Sequence, residues 1–156
     1  MTREAFGQRV MALEGLLYRV ARSQCVCRAD CEDAVQEALR RAWQHRDRLR
    51  DEDTFQAWLV RILLNVCHDQ ARRARRVVPM EHLPERGVTD AQEHPLLDAL
   101  NTLPPELRSL LVLHHVEGWD IEALSKLLRV PRGTVKSRLA RARQLLRRAY
   151  DGEGSA

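Results

Sequence analysis

The chain is poor in the residues that interrupt helices. Of its 156 residues only seven are glycine and six proline, which leaves long unbroken stretches. Those stretches are rich in Ala, Leu, Arg, Glu and Gln, all good helix formers. No stretch shows the Val/Ile/Thr alternation of a strand, so the expected fold class is all-α. No run approaches the roughly 18 unbroken apolar residues that a membrane span requires. The start, Met-Thr-Arg-Glu-Ala-Phe, lacks the basic-then-apolar layout of a signal peptide. Together these absences predict a cytoplasmic protein without membrane insertion. In that compartment the four cysteines are expected as thiols or metal ligands, not as a disulfide framework. The length excludes a large barrel or a doubly wound enzyme and allows one ordinary domain or two small ones.

What is abundant is charge, unevenly placed. Lys and Arg number 26 against 22 Asp and Glu, a net +4 that averages over unlike regions. From Arg129 to Ala149 there are eight basic residues and no acidic ones, whereas Asp47, Asp51, Glu52 and Asp53 crowd a different segment. Such asymmetry suggests an acidic partner, nucleic acid or a membrane surface.

Hydrophobic periodicity places the helices. Phe6, Val10, Leu13, Leu17 and Val20 recur at steps of three or four within about Glu4–Ser23. A second helix is expected from near Asp30. Its buried stripe is Ala34, Val35, Ala38, Leu39 and Ala42, with Glu32, Gln36, Glu37 and Arg40 facing outward. A polar break at His45–Thr54 follows. Phe55, Trp58, Leu59, Ile62, Leu63 and Val66 then fall at i, i+3, i+4, i+7, i+8 and i+11, a regular core stripe that extends to about Arg76. Its opposite face carries Arg61, Asn65, His68 and Arg72. Trp58 falls in the stripe and reads as packing. Residues 77–93 hold Pro79, Pro84 and Gly87 without periodicity, which predicts a flexible linker between two small helical domains. The expected division is 1–76, linker 77–93, 94–150, and a disordered tail at 151–156.

In the second domain, Leu96, Leu97, Leu100 and Leu103 suggest a short helix. Pro104-Pro105 starts the next one, with Leu107, Leu110, Leu111 and Leu113, ending near Gly118. Asp120 can cap a further helix through Val130, and a last helix runs to about Tyr150. Residues 120–149 read as a helix-turn-helix. Ile121, Leu124, Leu127 and Leu128 are expected buried on its first helix, and Val135, Leu139, Ala142 and Leu146 on its second. Lys136, Ser137, Ala140, Arg141 and Gln144 are then left on one outer face. Arg can pair with guanine O6 and N7, and Lys and Ser serve phosphates or bases, so this face suits the major groove. The bland alternative is a solvated basic helix, but merely soluble faces usually mix signs.

The segment Asp120-Ile-Glu-Ala-Leu-Ser-Lys-Leu-Leu-Arg-Val-Pro-Arg-Gly-Thr-Val-Lys-Ser-Arg-Leu-Ala-Arg-Ala-Arg closely resembles the region-four helix-turn-helix of bacterial RNA polymerase sigma factors of the extracytoplasmic-function group. Leu103-Pro104-Pro105-Glu106-Leu107-Arg108 resembles the start of that region. Independently, Glu32-Asp33-Ala34-Val35-Gln36-Glu37, and Phe55-Gln56-Ala57-Trp58-Leu59-Val60-Arg61-Ile62 with Asn65, resemble region two. The two matches stand in family order and together span nearly the whole chain.

The resemblance implies a set of partners and roles. Core RNA polymerase would be bound at its largest-subunit clamp by Asp33, Gln36, Glu37 and Arg40, and region four would meet the flap. The minus-ten element would be held as single strand by the His45–Thr54 segment, including Arg46 and Arg48, and by Arg61, Asn65, His68 and Arg72. Capture of unstacked bases needs pockets and cations along the phosphates. The minus-thirty-five duplex would be read by Arg132, Thr134, Lys136, Ser137, Arg138, Ala140 and Arg141. Ala140 departs from the bulkier residue sometimes found there. The resemblance further implies promoter DNA and an anti-sigma factor, at times membrane-bound, as partners. It implies no catalytic centre and no cofactor.

The competing readings account for less. A helix-turn-helix regulator acting without a sigma role leaves the region-two match unexplained. A small nuclease needs a carboxylate or histidine cluster for metal, whereas the acidic residues here sit in loops and on the proposed clamp face. Cys25, Cys27 and Cys31 form a Cys-x-Cys-x-x-x-Cys cluster that the family pattern does not require. They are candidates for metal binding or redox sensing, although the spacing matches no common zinc finger. The alternative is small, partly buried residues at helix ends.

Overall fold

The computed structural model describes residues 1–25, 27–77 and 95–152, and these divide into two compact helical units with the boundary between Gly87 and Val88. Most of the expected 77–93 linker therefore lies outside the described residues, as does the tail beyond Gly152. No strand occurs among the described residues.

The first unit packs three helices against one another: α1 (Arg3–Gln24), α2 (Arg28–Gln44) and α3 (Phe55–Val77). Thr2 starts α1 by accepting a hydrogen bond from the Ala5 N–H at 3.1 Å, and this supplies one of the orphan donors of the first turn. The buried stripe of α2 is unusually small: Cys31, Ala34, Ala38 and Ala42. Short side chains at steps of three and four let α2 approach closely, so the bulk of the core comes from the other two helices. Leu17 and Val20 of α1 and Leu59, Leu63 and Val66 of α3 are fully buried. Each such side chain contributes about 1.5–3 kcal/mol through burial. Aromatic edges close one end of the bundle, where Phe6 meets Trp43 at 5.1 Å and Phe55 at 5.7 Å between ring centroids.

The buried arc of α3 is broader than the periodicity suggests. Val60, Leu64 and Cys67 are buried, whereas Trp58 and Ile62 are only half-buried. The reason is that α3 packs on both α1 and α2, so two adjoining faces are covered rather than one stripe. Trp58 does pack, with its ring tilted against Phe55 at 5.9 Å. The polar break becomes two short 3₁₀ turns, Arg46–Arg48 and Glu52–Thr54, the second held by the Asp51 carboxylate on the Asp53 N–H at 3.0 Å.

The second unit comprises α4 (Pro95–Asn101), α5 (Pro105–Leu111), α6 (Ile121–Leu128) and α7 (Arg132–Tyr150). Helix α7 is its centre, packing against the other three. Leu107, Leu110, Leu111, Leu113, Leu124, Leu127, Val135, Leu139 and Ala142 form the core. Ile121, Leu128 and Leu146, expected inside, are half-buried at its rim. In α4 the burial falls on Ala99, with Leu103 just beyond, while Leu96 and Leu97 are exposed. A seven-residue helix offers one face only, and Ala99 and Leu103 occupy it.

Two backbone features were not expected. Helix α5 widens into a π turn at Val112–Val116 before Gly118, at φ +78°, reverses the chain. Glycine adopts that left-handed conformation without the Cβ clash other residues meet. Helix α6, capped by Asp120 on the Ala123 N–H at 2.7 Å, ends at Arg129 with φ 57°. That is a left-handed conformation which costs a non-glycine residue about 1–2 kcal/mol. Ser125 Oγ donates to the Val130 carbonyl at 2.6 Å and secures the turn that aims α7.

Candidate nucleic-acid and protein interfaces

The outer face of α7 forms because Val135, Leu139 and Ala142 are drawn into the core. With the helix phase thus set, Lys136, Ser137, Arg138, Ala140, Arg141 and Gln144 are all exposed, and Thr134 is half-buried. Lys136, Arg138 and Arg141 have no acidic partner among the described residues. Ser137 Oγ donates back to the Thr134 carbonyl at 3.0 Å. Arg132, at the start of the helix, lies 3.3 Å from the Glu122 carboxylate, which also holds Lys126 at 3.7 Å. One basic residue of this set is therefore already paired, and the other three present free charge.

The expected strand-lining residues of α3, Arg61, Asn65, His68 and Arg72, follow steps of four, three and four and share one face. Their surroundings differ. Asn65 is exposed, while the His68 Nε2 is buried with no hydrogen-bond partner among the described residues. Arg72 is held by Asp69. Arg46 lies 3.8 Å over the Trp43 ring and donates to the Trp43 carbonyl at 2.7 Å, whereas Arg48 is exposed. Arg9, a residue that sequence reasoning missed, donates to the Glu52 carbonyl at 2.9 Å and to its carboxylate at 3.1 Å. It also sits 5.7 Å over the Phe55 ring, so α1 pins the segment that precedes α3. No sequence signal links positions 43 residues apart.

On α2, Asp33, Gln36 and Arg40 are exposed and Glu37 is half-buried, on one face at i, i+3, i+4 and i+7. Glu37 is fully engaged within the chain. It accepts from Arg40, and from Arg41 at 3.1 Å. Hydrogen bonds from Arg40 first and Arg41 second pull its carboxyl down to about 2. Arg41 also reaches Asp69 of α3 at 3.2 Å, and this bond, ahead of that from Arg72, holds the Asp69 carboxyl below the ordinary range.

The cysteines regroup. Cys27 stands at the start of α2, and the fold instead brings Cys67 to Cys25, with the sulfurs 3.9 Å apart. All four are free thiols, and no group of three or more metal-ligating residues is placed to hold an ion among the described residues. The hydrogen bond with Cys31 pulls the Cys25 thiol down. The bond with Cys67 and burial outweigh it, leaving Cys25 pushed up to about 12. Cys31 is pushed up by its hydrogen bond with Cys25 and then by burial. Thiols raised in this way carry little thiolate and are poor nucleophiles. In the second unit His115 Nε2 accepts from Arg143 Nε at 3.1 Å, and burial first, then His114 and Arg143, push His115 down.

Comparison with known proteins fits this layout. Residues 9–77 match the Sigma-70 region 2 family and residues 93–146 match Sigma-70, region 4. The chain is 34% identical to the ECF RNA polymerase sigma factor SigM of Mycobacterium tuberculosis, over 94% of this chain and 77% of that one. It is 35% identical to the RNA polymerase sigma-E factor of Streptomyces coelicolor, over 91% of this chain and 84% of that one. Among solved structures, the sigma factor RpoE in complex with the anti-sigma factor NepR from Bartonella quintana has a TM-score of 0.79 at 27% identity, covering 95% of this chain and 98% of that one. CnrH in complex with the cytosolic domain of CnrY has a TM-score of 0.73 at 27% identity, covering 97% and 90%. The chain belongs to the extracytoplasmic-function (ECF) RNA polymerase sigma factors.

Proposed function

We propose that this ECF sigma factor divides its work between its two units. Residues 1–76 dock on the polymerase clamp through Asp33, Gln36, Glu37 and Arg40. They hold the melted minus-ten strand with Arg46, Arg48, Arg61, Asn65, His68 and Arg72. Residues 94–150 meet the flap and read the minus-thirty-five duplex through Arg132, Thr134, Lys136, Ser137, Arg138, Ala140 and Arg141. The observation that carries this reading is the outer face of α7, where Lys136, Arg138 and Arg141 stand exposed without acidic partners among the described residues. Unpaired cations on a helix of groove width are what phosphates and guanine edges require. The chain itself performs no catalysis, and the polymerase does the chemistry. The RpoE neighbour is bound to the anti-sigma factor NepR, and CnrH to the cytosolic domain of CnrY, which supports an anti-sigma partner here. No described helix is long and apolar enough to cross a membrane.

The test is transcription in vitro with purified core polymerase and a library of genomic fragments. Promoter-specific transcripts are expected only when the chain is added. Duplex binding without any such transcript would leave a regulator without a sigma role.

A further inference from the structure

The first unit gathers three thiols at one end of its bundle. Cys25 closes the C-terminal end of α1, Cys31 lies in the first turn of α2, and Cys67 stands on α3. Cys25 is hydrogen-bonded with both of the others, and its sulfur lies 3.9 Å from that of Cys67. The two neighbours differ in access. Cys31 is buried in the small-residue stripe of α2. Cys25 and Cys67 share the wall of a cleft of about 280 Å³, with Asp30, Gln70 and Arg73 among the other lining residues. A small polar solute can therefore meet this pair. The two also differ in freedom. Cys67 is fixed within a helix, whereas Cys25 has extended backbone, φ −107° and ψ 149°, beyond the last turn of α1. A disulfide needs the sulfurs about 2 Å apart. Cys25 can make that approach without breaking a helix.

We propose that Cys25 and Cys67 form a modification site, at which a peroxide converts the two thiols into a disulfide that staples the end of α1 to α3. The site is separate from the docking and DNA-facing residues proposed above, none of which is a cysteine. The chemistry balances in two steps. Cys25, the more open of the two, attacks one peroxide oxygen as its thiolate. The O–O bond breaks, Cys25 becomes a sulfenic acid, and with hydrogen peroxide the departing hydroxide leaves as water with the thiol proton. The Cys67 sulfur then attacks the Cys25 sulfur, the S–O bond breaks, and a second water carries off the Cys67 proton. Two electrons have passed from the sulfurs to the peroxide. Cys25 is protonated at neutral pH, so the first step is slow and the pair answers to sustained exposure, not to a trace of oxidant. The bond joins positions 42 residues apart and encloses the whole of α2. A cross-link of that span constrains the unfolded chain, so the oxidised first unit is the more stable form.

The test uses the full chain, reduced, freed of reductant and exposed to hydrogen peroxide. Remaining thiols are alkylated, and tryptic peptides are weighed. Peptide 23–28 joined to peptide 62–72 is expected, and reduction should separate them. Peptide 23–28 also holds Cys27, so Cys27→Ser should keep the link and Cys25→Ser should remove it. Calorimetry of the oxidised chain should show one transition raised by at least about 5 °C. Oxidant should cause no such rise in Cys25→Ser. A link from Cys25 to Cys31, chains joined to one another, sulfinic acid without a link, or a transition that does not rise would overturn the proposal. So would the absence of any link at a peroxide dose that converts the exposed Met11 to its sulfoxide. The peptide map and calorimetry of the unaltered chain decide the matter even where a variant folds poorly.

Discussion

Most of the cations named on the outer face of α7 are free, whereas most of those named on α2 and α3 are already paired. On α7, Lys136, Arg138 and Arg141 are exposed and have no acidic partner among the described residues. In the first unit several cations are engaged: Arg40 with Glu37, Arg41 with Glu37 and Asp69, Arg72 with Asp69, and Arg46, in the turn after α2, over Trp43, while Arg48 and Arg73 are exposed. A face with free charge can meet duplex phosphate as it stands. A face whose charges are paired must exchange partners first, and each exchange returns only the difference between two ion pairs. The contrast suits a factor that finds double-stranded DNA before it holds a melted strand. It also means that net charge, +4 overall, says little about where binding is immediate.

The strongest challenge to this contrast is to strip the free face. Lys136→Ala combined with Arg141→Ala should weaken holoenzyme binding to a minus-thirty-five duplex by about 2–4 kcal/mol, measured by titration at fixed salt. If both groups meet phosphates, the slope of log affinity against log salt should fall by about 1.8. Core affinity should be unchanged, and a loss there would mean that the two units do not divide the work as proposed.

A smaller effect asks whether α7 is a rigid platform. Arg129 ends α6 at φ 57°, so Arg129→Gly should relieve about 1 kcal/mol of strain and raise the melting temperature of the second unit. Duplex affinity should change little, because Val135, Leu139 and Ala142 still set the phase of α7. A large change in affinity would show that the turn itself contributes to the DNA face.

The smallest effect concerns the paired face. Glu37 is depressed in the folded state, so its contribution is full above the ordinary carboxylate range and is lost as pH falls toward about 2. Pairs this open contribute about 0.2–1 kcal/mol. A carboxyl-detected NMR titration should therefore find Glu37 still ionised at pH 4, where exposed carboxylates are half protonated. Arg41→Met should bring its midpoint back toward theirs. A Glu37 midpoint in the ordinary range in the intact chain would mean that the α2 face is as free as that of α7.

The helices were legible in the sequence because their signals are local. Thr2 before α1, Pro105 in the first turn of α5 and Asp120 before α6 are chemical start signals. The outer face of α7 was readable in full, since once three apolar residues at steps of four and three are assigned to the core, the remaining positions follow from 3.6 residues per turn. The face of α3 was read only in part. The four positions share a face as helical spacing requires, and Asp69 beside Arg72 at i, i+3 is itself a local pair, but the buried Nε2 of His68, without a hydrogen-bond partner among the described residues, depends on neighbours that periodicity does not name.

Local pattern by itself determined the all-helical class and which side of α7 carries the charge, because both depend on neighbours within a turn or two along the chain. Tertiary structure decided everything that joins distant positions. It set Cys67 rather than Cys27 beside Cys25, Arg9 on Glu52, and Arg41 between Glu37 and Asp69. Separations of 42, 43 and 28 residues are bridged only once helices have packed, and helix packing is governed by apolar side chains elsewhere in the bundle. Those contacts, together with the i, i+3 and i, i+4 pairs along α2 and α3, determine which cations the molecule holds back and which it presents.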